Sequence, residues 1–218
     1  MDIPANVFNQ DWLLVTGFVL FLLLVQAFRH APWGYVREHT HVYLGAIVFA
    51  STFWLLRAGI GSNLNFHFLG FTLMTLLFGW RLALIAATAI VGITFWRLDA
   101  GLLAVPSNTL VMGGIPILIT HWLLRWSQRR LPTNIFIFVF VNAFLAAILS
   151  IVAVIAVGSL LLWWTETFSA YYLQTNYLPY IPLLMLPEGL LNGMLTVIAV
   201  VYVPQWIPAF DDTRYLRK

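Results

Sequence analysis

Three groups in this chain have types that could act together. They are the α-amino group of Met1, the carboxylate of Asp2 and the imidazole of His67. An amine, a carboxylate and an imidazole that converge form a mixed nitrogen and oxygen site suited to a divalent transition metal. His67 sits in Asn65-Phe66-His67-Phe68-Leu69-Gly70. A lone histidine there can equally be a ring hydrogen-bonded to a backbone carbonyl. Glu188 lies in Pro187-Glu188-Gly189-Leu190-Leu191-Asn192-Gly193. In the first turn of a helix it would serve the helix dipole, and among apolar neighbours it could instead be a partnered intramembrane carboxylate. Asn192 could hydrogen-bond across the close helix contact that Gly189 and Gly193 permit.

The remaining polar candidates are weaker. His39 and His41 form an H-x-H pair, which shares a face only on a strand. At a helix start the two diverge, so a solvated headgroup segment is the better reading. His121 stands alone, and haem ligation would need a paired histidine on a facing helix, for which only His41 offers itself. Ser107 or Asn108 fits an N-cap, ahead of the Met112-Gly113-Gly114 step and Pro116. Gly113, Gly114, Ala83 and Ala87 thin their helices for a close neighbour, either within the chain or in another membrane subunit. Cysteine is absent, which excludes disulfides, Cys-ligated zinc, iron–sulfur clusters and thiol catalysis. No P-loop or dinucleotide fingerprint occurs, so no ATP or NAD site is expected.

The elements that must position these groups follow from composition. Of 218 residues, 61% are hydrophobic and 9% charged, against about 25% charged in ordinary soluble domains. The mean hydropathy is +0.89 with ten Trp. This is an all-α, polytopic integral membrane protein forming a single transmembrane domain, 1–218. The net charge of +3 does not imply a nucleic-acid partner, because the basic residues are scattered; the partner is the lipid bilayer. Apolar runs at Trp12–Phe28, His41–Leu56, Phe66–Trp96, Leu110–Trp126, Asn134–Trp164 and Leu183–Ile207 read as about seven transmembrane helices. The third run is divided in two by a tight turn at Arg81, since one helix of that length would overshoot the bilayer. With the N-terminus outside, Arg29, Arg37, Arg81, Arg125, Arg129, Arg130, Arg214, Arg217 and Lys218 fall inside, and Arg57 and Arg97 outside. The positive-inside rule therefore predicts N-out and a cytoplasmic C-terminus, in a multi-pass protein of the cell inner (plasma) membrane. Asp2 and Asp11, with no Lys or Arg before the first run, do not make a cleavable n-region, so Met1 is expected to persist. Trp12, Trp33, Trp80, Trp96, Trp126, Trp163, Trp164, Tyr171 and Tyr172 are expected interface anchors.

Four stretches, in this order, carry a family resemblance. Met1-Asp2-Ile3-Pro4 is similar to the Met-His-Ile-Pro start of the CbiM/NikM family. His67-Phe68-Leu69-Gly70 with the following Phe71-Thr72-Leu73-Met74-Thr75-Leu76-Leu77 resembles its His-Leu-Leu-Gly helix. Ser107-Asn108-Thr109-Leu110-Val111-Met112-Gly113 resembles its Asn-containing segment, and Glu188-Gly189-Leu190-Leu191 its Glu-Gly-Leu stretch. The family comprises the substrate-capturing membrane subunits of energy-coupling-factor cobalt and nickel importers. The resemblance implies that the N-terminus tucks into the bundle and that the terminal amine, the second residue and the His67 position hold the metal. Met1 and His67 match that pattern. Asp2 stands where the family has histidine, replacing an imidazole by a carboxylate, which favours harder or less geometrically demanding ions.

The expected function is thus the permease or substrate-binding subunit of an energy-coupling-factor-type ABC importer, not an enzyme. Met1, Asp2 and His67 would hold a divalent metal of the cobalt or nickel class. A coupling membrane subunit and cytosolic ATPases are the partners the resemblance implies. A membrane redox protein using intramembrane His and Glu, and a structural membrane protein without ligand, are the alternatives.

Overall fold

A computed structural model describes residues 3, 5–56, 58–59 and 65–210, with side chains at all of these but 58, 59 and 65. Met1, Asp2, Arg57, Arg214, Arg217 and Lys218 lie outside the described residues, and with them two of the three expected metal ligands. The helices are α1 (Gln10–His30), α2 (Trp33–Glu38), α3 (Thr40–Trp54), α4 (Phe71–Arg97), α5 (Leu102–Arg130), α6 (Ile135–Trp164), α7 (Ala170–Asn176) and α8 (Ile181–Tyr202). A two-residue antiparallel bridge joins β1 (Ala58–Gly59) to β2 (Asn65–Phe66), pairing Ala58 with Phe66 and Gly59 with Asn65.

Five helical runs among the described residues are long and apolar enough to cross a bilayer: α1, α4, α5, α6 and the run 170–202 that ends in α8. The count of seven from apolar runs differs at two places. Helix α3 has 15 residues, about 22 Å of helix, shorter than a hydrocarbon core of about 30 Å. The stretch expected to hold two short helices is continuous from Phe71 to Arg97 but breaks at Gly79, where φ is 75° and ψ 164°. That is a left-handed conformation which glycine adopts without a Cβ clash.

The break is a reversal. A Cβ built on Gly113 would lie 2.7 Å from the Ala87 Cβ and 3.8 Å from the Phe71 ring. In an unbroken helix the 16 residues from Phe71 to Ala87 would span about 24 Å. Phe71–Phe78 and Trp80–Arg97 therefore fold back on one another about Gly79, two residues before the expected turn at Arg81. Glycine is the residue that tolerates the required φ, which is why the turn falls there.

Side-chain contacts sort into two ends of the bundle. At one end the Trp12 ring meets Trp164 at 5.5 Å, and its Nε1 donates to Ser107 Oγ at 3.2 Å. At the other, the Tyr35 hydroxyl donates to the Trp206 carbonyl at 2.8 Å, His41 meets Trp206 at 6.2 Å, and Phe138 meets Phe210 at 5.1 Å. The core runs along α4, where Leu76, Leu82, Ala83, Ala86, Ala87, Ile90, Val91 and Phe95 are fully enclosed. Helix α1 instead presents Leu14, Phe18 and Phe21 outward, each at least 60% exposed, as a lipid-facing helix does.

Two stretches widen to π-helix, Thr109–Gly114 within α5 and Phe138–Leu145 within α6. The first lies just ahead of Pro116, which has no N–H to offer the Met112 carbonyl. Gly113 lets this wide coil approach Ala87. Gly189 does the same for α8, since a Cβ there would lie 2.8 Å from Ile148 Cγ1 and 3.1 Å from Phe144. The expected close contact at Gly189 and Gly193 is thus made internally, against α6.

Candidate functional site

Asn108 was expected to cap a helix. It stands instead inside the continuous α5 run and holds the N-terminal segment. The Ile3 N–H donates to Asn108 Oδ1 at 3.0 Å, and Asn108 Nδ2 donates to the Ile3 carbonyl at 2.8 Å. A second Nδ2 bond, 2.9 Å to the Ala104 carbonyl, fixes the amide's orientation. One side chain thereby satisfies both backbone polar groups of a residue that is 3% exposed, which the low-dielectric interior requires. The start of α1 is tied to the same stretch, for Thr16 Oγ1 lies 2.9 Å from Ser107 Oγ. Neither Thr16 nor Ser107 stood out as a binding residue in the sequence. Hydroxyls that usually bond their own helix carry no distinctive spacing.

His67 is buried on the loop between β2 and α4. Its Nδ1 lies 3.2 Å from the Phe68 carbonyl, and its ring packs against that of Trp54 with centroids 4.1 Å apart and planes tilted by 43°. With Nδ1 donating to that carbonyl, the ring's lone pair is on Nε2. Trp54 is 1% exposed and donates from Nε1 to the Leu69 carbonyl at 3.2 Å. It supports the loop from behind, a role its sequence position at the end of an apolar run does not distinguish from an interface anchor.

Glu188 and Asn192 grip the other side of the loop. Glu188 was expected to open its helix, but α8 begins at Ile181 and continues through Pro187, so Glu188 lies two turns inside. The dipole it serves belongs to α4. Glu188 Oε2 accepts from the Leu69 N–H and Oε1 from the Gly70 N–H, both at 2.9 Å. Asn192 Nδ2 donates to the same Oε1 at 2.9 Å, while Asn192 Oδ1 accepts from the Leu73 N–H at 2.9 Å. The Gly70 and Leu73 amides are among the four at a helix start without an intrahelical acceptor. A carboxylate there is stabilised by three N–H donors and by the positive end of the helix. The partnered-carboxylate reading of Glu188 holds, and both side chains position the His67 loop. Gly70 turns the chain into α4 at φ 71°.

A cavity of about 350 Å³ opens beside this loop, lined by Leu56, Phe66, His67, Phe68, Pro187 and Glu188 among others. Elsewhere the histidines separate. His39 stacks on Tyr35 at 4.5 Å and His41 contacts Trp206, so the H-x-H pair diverges. His121 contacts Trp80 at 6.3 Å, on a different partner from His41. Among the described residues no group of three or more His, Cys, Asp or Glu converges on a metal position. The described part of the site contributes one imidazole, His67, on a loop pinned from both sides, and a clamp that fixes the chain at Ile3.

These features define a multi-pass helical membrane protein in which the N-terminal segment is drawn into the bundle. The sequence matches the family model described as the cobalt uptake substrate-specific transmembrane region over residues 2–209, and the chain belongs to this family, CbiM. Its fold is similar to a crystal structure of a transition metal transporter, at 18% identity over 94% of this chain and 93% of that one, with TM-score 0.71. It is also similar to a truncated transition metal transporter, at 17% identity over 94% and 99%, with TM-score 0.70. No curated protein matches the sequence. The chain is a membrane component of metal transport and not an enzyme.

Proposed function

We propose that this chain captures a divalent cation of the cobalt or nickel class on the outer side of the cell's inner membrane. It would hand the cation on within an energy-coupling-factor assembly. The ligands in this reading are the Met1 amine, Asp2 and the His67 imidazole. The observation that carries it is the clamp of Asn108 on Ile3. Successive Cα atoms are about 3.8 Å apart, so Asp2 is joined to a backbone that is already fixed. His67 is held in turn by Trp54, Glu188 and Asn192. The cavity beside His67 supplies an approach. With Asp2 in place of an imidazole, the donor set is less selective for square-planar ions.

The topology in this reading has seven passes with the N-terminus outside. The fold-back at Gly79 supplies two of them and α3 a third, and the end bearing Ile3, Trp12 and Trp164 faces outward. In this reading a coupling membrane subunit and cytosolic ATPases complete the importer, with the lack of a nucleotide motif in this chain in keeping with an energy source on other subunits. Elemental analysis and calorimetric titration with Co²⁺ and Ni²⁺, on protein without an N-terminal tag, test the site. Near-stoichiometric metal is expected, lost on extending Met1 or in Asp2→Ala and His67→Ala. Unchanged binding in all three variants overturns the ligand set.

A further inference from the structure

We propose that Arg81, His121 and Arg125 form a binding site for the phosphate of an anionic phospholipid headgroup, at the end of the bundle away from Ile3. Arg125 follows Asn108 by 17 residues of continuous helix, about 25 Å, which places the two at opposite ends of α5. His121 and Arg125 stand four apart on α5 and so share a face. Trp80, beside the Gly79 reversal, touches the His121 ring at 6.3 Å, and the Arg81 guanidinium lies over Trp80 at 5.0 Å. Arg81 and Arg125 are both close enough for their charges to act on His121.

Among the described residues no carboxylate pairs with this cluster. Among the described residues no ion pair involves either arginine, and the buried Arg81 Nε has no hydrogen-bond partner. A half-buried guanidinium with an unmet donor is costly in a low-dielectric setting, and a phosphate offers oxygens matched to its planar fork. The source of the phosphate follows from the surroundings. Trp122 and Trp126, on the adjoining face of α5, stack at 6.5 Å and are 64% and 41% exposed. They form an aromatic belt at headgroup depth, where basic pockets between transmembrane helices take up anionic lipid.

The test is native mass spectrometry of the full chain in mild detergent, titrated with phosphatidylglycerol, with phosphatidylcholine and with inorganic phosphate. One phosphatidylglycerol is expected to bind in preference to phosphatidylcholine. Each arginine should contribute on the order of fivefold, so Arg81→Gln with Arg125→Gln should abolish the preference, whereas Arg97→Gln should leave it intact. Should the double variant fail to fold, photo-crosslinking of wild-type protein with a headgroup-labelled phosphatidylglycerol decides, with label expected on the peptides bearing Trp80 and His121. Equal binding of the two lipids, saturation by inorganic phosphate alone, or headgroup crosslinks that leave the Trp80 and His121 peptides unlabelled would overturn the proposal.

Discussion

At the residue scale the informative side chains are those that satisfy someone else's backbone. Asn108 meets both polar groups of Ile3, and no apolar residue of similar size can do so. Asn108→Leu leaves a buried N–H and C=O unpaired, at a cost of about 1–3 kcal/mol for each group. Outer-shell changes of this kind lower metal affinity by roughly 10–100-fold. We expect Co²⁺ and Ni²⁺ binding to weaken within that range by calorimetry while helicity is kept. Glu188→Gln is the sharper test of the loop. Each carboxylate oxygen faces a backbone donor, so the glutamine amide would set its NH₂ against the N–H of Leu69 or Gly70. A loss of about 1–3 kcal/mol is expected, read as a lower Tm in detergent together with weaker metal binding. Glu188→Asp, which retains two acceptor oxygens, should recover part of the loss.

At the element scale the fold depends on close approaches that only the smallest residues allow. Gly113 against Ala87 is the tightest, with an added Cβ at 2.7 Å from the alanine methyl. Gly113→Ala should destabilise the bundle by roughly 1–3 kcal/mol through overpacking. Ala87→Gly placed opposite it should restore most of the loss, giving a favourable coupling in a double-mutant cycle of Tm values. Absence of coupling would mean that α4 does not fold back onto α5 at this level. The elements also explain what was legible beforehand. Apolar runs located the helices, because each crossing must be apolar along its length. They placed the reversal at Arg81, two residues late, since the Gly79-Trp80-Arg81 step is marked by composition only, whereas Gly79 is the residue whose φ the turn requires. Nor did they reveal that α8 starts at Ile181 and places Glu188 mid-helix, because prolines cluster from Pro179 to Pro187 and any of them could open a helix.

At the scale of the whole molecule, charge and contacts agree in separating two ends. The end bearing Tyr35, His41, Trp206 and Phe210 contains the chain segments rich in Arg, and the end bearing Trp12, Ser107 and Trp164 is nearly free of it. The native chain has no cysteine, so single probes report sidedness without background. In intact cells, Thr167→Cys should react with an impermeant maleimide, while Thr133→Cys should react only after permeabilisation; the reverse pattern would invert the orientation. The clamp on Ile3 and the pinned His67 loop belong to the outward end in that arrangement, so the proposed cation site and the proposed headgroup site at Arg81 and Arg125 would occupy opposite ends of one bundle.

The sequence by itself determined that the chain is helical and membrane-embedded, which end of it is basic, and which few polar residues deserved scrutiny. Those properties follow from composition and local order, because the bilayer imposes them on every crossing segment alike. The tertiary structure decided what the polar residues do. Asn108 binds a residue 105 positions away, and Glu188 binds amides 118 and 119 positions away. No local pattern encodes such partners. They are set by which helices pack together, and packing here turns on where Gly79, Gly113 and Gly189 let backbones reverse or approach.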